Sequence, residues 1–139
     1  MKEGSNNGIG SQGIVIDGTE EQRQHYLPKL ASGAWTGVFA LTEPEAGSDA
    51  ASIMTRAEHK GDHWVLNGLK HFISNGDIMD VATVFAVTDP EKGARGGISA
   101  FIVEKNFPGF SIGSIDKKMG LRGCHTCELV FEDCEVPAE

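Results

Sequence analysis

Two segments carry most of the side chains that could do chemistry. In the first, Phe39 to Asp49, an apolar run with Leu41 gives way to a stretch holding Thr42, Glu43, Pro44, Glu45, Gly47 and Ser48. Thr42 and Ser48 can each donate and accept hydrogen bonds. Gly47 permits a positive φ and a close backbone approach to a ligand. Such a loop can meet the polar edge of a planar cofactor. A strand-to-turn connection capped by Asp49 explains the same letters, so the residues alone leave both readings open. In the second segment, Trp64 to Gly76, Phe72 and Ser74 stand two apart. On a strand both point to one face, which pairs an aromatic wall with a hydroxyl donor. Core packing of Phe72 beside a solvated Ser74 is the plainer alternative.

Metal chemistry is a weaker reading. Glu43, Glu45 and Asp49 lie close together, but their spacing does not match the alternating oxygen ligands of a calcium loop. Cys124, Cys127 and Cys134 are the only cysteines. An odd, closely spaced set argues against a disulfide framework. Cys124 and Cys127 form one CxxC pair with no second pair to complete a zinc site. The pair also precedes a strand-like run, whereas redox motifs usually open a helix. No metal ligand is therefore assigned.

The elements that must position these groups follow from turn chemistry. Thr19 with Gln22 forms a capping-box pattern, and Glu20 and Glu21 suit the first turn of a helix dipole. Tyr26, Leu27 and Leu30 give that helix an apolar stripe. Pro28 predicts a break or kink, and Gly33 a stop. Ile14 to Ile16 fits helix or buried strand equally. Beyond Gly33 the pattern predicts strands over 35–41, 53–59, 63–73, 81–88, 98–104, 110–116 and 127–136. They are separated by Lys60-Gly61-Asp62, Asn75-Gly76-Asp77, Asp89 to Gly93 and Pro108-Gly109. Asn67-Gly68 reads as a tight turn between strand-like runs. Short strands at near-regular spacing without long intervening helices predict a mainly β barrel or sandwich. Val81 to Val87, nearly all apolar, is expected to be the most buried strand.

The whole chain sets outer limits. It has 139 residues, 40% hydrophobic and 23% charged, a globular composition with room for about one ordinary domain. Twelve basic against 20 acidic residues leave a formal charge of −8, and the basic ones are scattered. That disfavours nucleic acid, whose phosphates reward clustered Lys and Arg. No apolar run reaches the ~20 residues of a membrane-spanning helix, and the N-terminal stretch lacks a signal-type hydrophobic segment.

Residues Ala40 to Ser52 and Trp64 to Gly76, in that order, resemble the signature regions of acyl-CoA dehydrogenases. The likeness extends through Gly18 to Gln22, Tyr26 to Gly33, Lys118 to Gly123 and Phe131 to Pro137, so it covers nearly the whole chain. It implies a fragment: residues 1–34 as the end of an N-terminal helical domain, residues 35–139 as the central β-barrel domain, and no C-terminal helical domain. The implied activity is α,β-dehydrogenation of an acyl-CoA thioester to the trans-2-enoyl-CoA, with hydride transfer to FAD. An electron-transfer flavoprotein is the implied partner, and tetramers the implied assembly. The implied compartment is a bacterial cytoplasm or a mitochondrial matrix.

Carried over by position, Phe39, Leu41, Thr42, Gly47 and Ser48 resemble one flavin-contact strand and loop. Leu41 and Thr42 would meet the isoalloxazine, with Thr42 bonding its pyrimidine side. Gly47 and Ser48 would approach the diphosphate, and Ser48 would also touch the CoA portion of the substrate. Phe72, Ile73 and Ser74 resemble the second contact, Phe72 covering the ring and Ser74 bonding near N5. Trp and Thr are frequent in the family where this chain has Phe72 and Ser74; both changes keep an aromatic wall and a hydroxyl. The family's catalytic glutamate falls beyond Glu139 or on another helix of that domain, and none of Glu43, Glu45, Glu128 or Glu132 matches it. Acyl-CoA oxidases and flavin monooxygenases share the fold and differ in what reoxidises the flavin. A non-enzymatic β-sandwich binding module would carry no flavin at all.

Overall fold

The computed structural model describes residues 8–138. Two helices, α1 (Ile9–Asp17) and α2 (Glu20–Ala31), precede seven strands: β1 (Gly37–Ala40), β2 (Arg56–Lys60), β3 (His63–Ser74), β4 (Val81–Val87), β5 (Ile98–Glu104), β6 (Phe110–Ile115) and β7 (Thr126–Pro137). The predicted strands are present with boundaries moved by at most a few residues. Ile14 to Ile16 resolves to helix.

The capping box at Thr19 forms in both directions. Gln22 N–H donates to Thr19 Oγ1 at 3.2 Å, and Thr19 N–H donates to Gln22 Oε1 at 2.9 Å. Thr19→Ala is therefore expected to cost about 1 kcal/mol, read as a lowered melting temperature. Pro28 lies inside a continuous helix, so the break that was one of its two expected effects does not occur. Its missing N–H would have faced the carbonyl of Gln24, an exposed residue whose carbonyl water can serve. The helix stops at Ala31, and Gly33 just beyond it has φ +72° and an N–H that bonds Leu30 O at 3.1 Å.

β4 is the axis of a curled sheet. One edge pairs antiparallel with β5 along its whole length. The other edge takes β1 in parallel, Gly37 to Ala40 against Val81 to Val84, and then Arg56 of β2 opposite Val87. β1 and β2 thus follow one another along the same edge of β4, with residues 41–55 as an excursion between them. β2 turns back into β3, which pairs with β7, which pairs with β6. β4 is buried over Val81 to Val84 because strands flank it on both edges. The main core gathers Val38, Leu66, Val84, Val103, Leu129 and Phe131, with Cys127 and Cys134 among them. Burial pushes both of those thiols up to about 11, which suits packing better than reactivity.

Asn67-Gly68 is not a turn. β3 runs unbroken through it, with a shift of register against β7 between Leu66 and Gly68. Asn67 Nδ2 donates to Asp133 Oδ1 at 3.0 Å, and Asp133 N–H donates back to Asn67 Oδ1 at 2.9 Å. The side chain that would close a hairpin instead staples a bulge to the neighbouring strand.

Candidate functional site

The chain leaves the sheet after Ala40, and its next two carbonyls are both taken up by β3. Leu41 O accepts from Lys70 Nζ at 3.1 Å, and Thr42 O accepts from the His71 N–H at 2.8 Å. A tight turn follows, with mutual backbone bonds between Glu43 and Ala46 of 3.0 and 3.2 Å. Gly47, Ser48 and Asp49 come next and are exposed, while Phe39, Leu41 and Thr42 are half-buried. Asp49 accepts from Ser52 Oγ at 2.5 Å.

On β3 the strand period changes where the site begins. Leu66 and Lys70 face inward; continued alternation would bury Phe72 and Ser74 as well. A second shift of register lies between Lys70 and Ile73, and Phe72 there takes φ +57°. That one-residue slip turns Ile73 into the core and leaves Phe72 61% exposed, with Ser74 exposed beside it. Left-handed backbone at a bulky aromatic costs about 1–3 kcal/mol and tends to persist where a site requires it. Simple alternation therefore does not explain the shared exposure; the bulge does. Phe72 stacks on His71, centroids 4.1 Å apart and planes 16° from parallel. Ile73, assigned to the cofactor by resemblance, has its side chain in the core, so only its backbone is available to a ligand.

Thr42, Ser48 and Ser74 make no side-chain hydrogen bond among the described residues. The Thr42 N–H also has no acceptor there. The His71–Thr42 bond sets Thr42 beside the strand end that carries Phe72 and Ser74, and there is open space at Gly47, where an added Cβ would meet nothing within 4 Å. The site is an open surface. A cleft of about 580 Å³ lies elsewhere, between the helices and β5, and is lined by Tyr26, Trp64, Thr83, Phe101 and Glu104. None of the residues assigned to the flavin lines it.

A buried ion pair underlies the loop. Lys70 is 0% exposed and Glu43 6%, with Lys70 Nζ 2.7 Å from Glu43 Oε1. Glu43 also accepts from Met54 N–H at 2.6 Å and Thr55 N–H at 3.0 Å. Burial alone would raise the Glu43 carboxyl, but the bonds from Lys70, Thr55 and Met54 outweigh it and hold it below its ordinary value. Burial draws the Lys70 ammonium down, opposed by Glu43. Sequence reading passed over Lys70. The available signal was its inward register with Leu66 on an otherwise apolar strand face.

A polar cluster not foreseen from sequence stands near Ser74. Thr126, its partner across the ladder, donates to Asp116 Oδ2 at 2.7 Å, and His71 Nε2 lies 3.6 Å from Asp116 Oδ1. His125 Nδ1 is 2.6 Å from Asp77 Oδ2. No group of three or more His, Cys, Asp or Glu among the described residues could hold a metal ion. No helix there is long and apolar enough to cross a membrane.

Residues 38–134 match the family described as acyl-CoA dehydrogenase, middle domain, and residues 4–34 match acyl-CoA dehydrogenase, N-terminal domain. The chain belongs to the acyl-CoA dehydrogenase family. This family member is 52% identical over 129 residues to an acyl-CoA dehydrogenase of Bacillus subtilis, covering 93% of this chain and 34% of that protein. A solved structure described as the electron transferring flavoprotein of Acidaminococcus fermentans contains a similar chain. It has a TM-score of 0.93 and 51% identity, with 96% of this chain and 35% of that one covered. An acyl-CoA dehydrogenase complexed with FAD from Bacillus anthracis aligns with a TM-score of 0.89 and 42% identity, over 99% of this chain and 23% of that one. The chain thus spans about a third or less of the length of these relatives.

Proposed function

We propose that this chain supplies one wall of an FAD site in an enzyme that oxidises acyl-CoA thioesters to trans-2-enoyl-CoA. The observation that carries the reading is the bond from His71 N–H to Thr42 O. It sets the hydroxyl-bearing loop beside the strand end where the bulge exposes Phe72 and Ser74. The bound flavin would supply the hydride acceptor. The chain's own residues hold and orient it: Phe72 offers a flat apolar face, Thr42 and Leu41 meet the pyrimidine side, and Ser74 donates near N5. Phe39 backs the strand, and Ile73 contributes through its backbone. Donors placed where negative charge gathers on reduction favour the reduced ring. Gly47 and Ser48 approach the diphosphate, and Ser48 also touches the CoA portion of the substrate.

Glu43 is not the base that removes the α-proton: Lys70 and two backbone amides occupy its oxygens, and it is buried away from the open surface. That base belongs to a part of the enzyme other than these residues. The same reading gives an electron-transfer flavoprotein as the electron acceptor, a homo-oligomeric assembly, and residues 1–34 and 35–139 as parts of two domains.

The test is FAD affinity in the protein that carries this chain. Thr42→Ala and Ser74→Ala are each expected to weaken FAD binding by roughly three- to tenfold, as loss of a hydrogen bond to the neutral oxidised ring would. Flavin reduction by substrate should slow in both. Wild-type affinity and reduction rate in both variants would remove this site.

A further inference from the structure

We propose that the buried Glu43–Lys70 pair positions the Leu41–Thr42 peptide, aiming the Thr42 N–H outward as a cofactor hydrogen-bond donor. Lys70 bonds Glu43 at 2.7 Å and Leu41 O at 3.1 Å. No peptide bond among the described residues is cis. In a trans peptide the N–H points opposite to the C=O. Anchoring Leu41 O to a lysine at 0% exposure therefore turns the Thr42 N–H away from the interior. The next peptide behaves the same way: Thr42 O is held by the His71 N–H at 2.8 Å, and the opposed Glu43 N–H bonds Ala46 O at 3.0 Å. The Thr42 N–H alone of this set has no acceptor among the described residues.

The pair also fixes both ends of the excursion. Glu43, at its start, accepts from Met54 and Thr55 at its end, and Thr55 O in turn accepts from the Val87 N–H of β4 at 2.7 Å. A simple core-filling role would need no charge in this place, and hydrophobic side chains of similar volume usually serve as well or better. Lys70 and Glu43 are thus positioning residues that act through Thr42.

The inference rests on the flavin reading above, and its test separates the two. Lys70→Met keeps the length of the side chain and removes the charge; Glu43→Gln keeps the shape and supports the conclusion should Lys70→Met fail to fold. In the flavin-free protein carrying this chain, either change should strip hydrogen-exchange protection from the amides of Glu43, Met54, Thr55 and His71. The amides of Val84, Val103 and Leu129 should stay protected. With FAD bound, the dissociation constant should rise about tenfold or more. The carbonyl stretching bands of the flavin should move to higher wavenumber, as loss of a donated hydrogen bond requires. Unchanged exchange in the loop, or wild-type flavin bands in a folded variant, would overturn the inference. If Thr42→Ala and Ser74→Ala weaken FAD binding while Lys70→Met does not, the positioning claim alone fails. If the wild-type protein takes up no flavin, the underlying reading fails and the positioning claim with it.

Discussion

Gly68→Val is expected to lower stability by about 3–5 kcal/mol, the sum of overpacking and a left-handed backbone imposed on a branched residue. Gly68 has φ +155°, and a Cβ built there lies 2.4 Å from Thr55 Oγ1 and 2.7 Å from Thr55 Cα. The Thr55 Cα is backbone and cannot swing aside. Either the β3 bulge flattens, which breaks the Asn67–Asp133 staple, or the chain at Thr55 withdraws. Withdrawal pulls the Thr55 N–H away from Glu43 and its carbonyl away from Val87. Damage at Gly68 therefore reaches the 41–55 excursion and, through it, the candidate site. Thermal melting checks this, with Gly123→Ala as control, since an added Cβ there meets nothing within 4 Å. A melting temperature for Gly68→Val equal to that of the control would contradict the close approach.

Acid should loosen the same region through Glu43. Its carboxyl lies below the ordinary value of 4.5 in the folded chain. A depressed carboxylate contributes stability that is complete above the unfolded value and disappears as pH falls through the folded one. The loss carried by this carboxyl therefore sets in on acidification below about pH 4.5. Protonation leaves Lys70 as an uncompensated buried charge. Glu43→Gln imposes the same deficit at every pH. The difference in melting temperature between wild type and Glu43→Gln should thus be large and constant near neutrality and shrink on acidification below pH 4.5. A difference that persists unchanged to pH 2.5 would mean that Glu43 is not the titrating group.

The alternation of apolar runs with Gly, Pro, Asn and Asp clusters was enough to locate each strand, because turn residues report local backbone needs. Ile98–Glu104 begins and ends where the pattern places it. Signals failed where a distant partner decides the outcome. Asn67-Gly68 has a hairpin's letters, but Asp133 on β7 captures the Asn67 side chain and keeps β3 whole. Pro28 has a helix breaker's chemistry, yet the carbonyl it deprives belongs to the exposed Gln24. In the candidate site, hydroxyls and an aromatic were legible as residue types. The φ of Phe72, which turns that ring outward, depends on register against β7 and leaves no mark in the local sequence. The Glu43–Lys70 pair joins residues 27 apart in sequence. Only the inward phase of Lys70 hinted at it.

A crystal structure of the protein carrying this chain, grown with FAD, tests the central claim most directly. The isoalloxazine should stack on the exposed face of Phe72 at about 3.5–4 Å, with the Thr42 and Ser74 hydroxyls within about 3.2 Å of its heteroatoms. A flavin ring seated in the cleft between the helices and β5, with Phe72 bare, would contradict it.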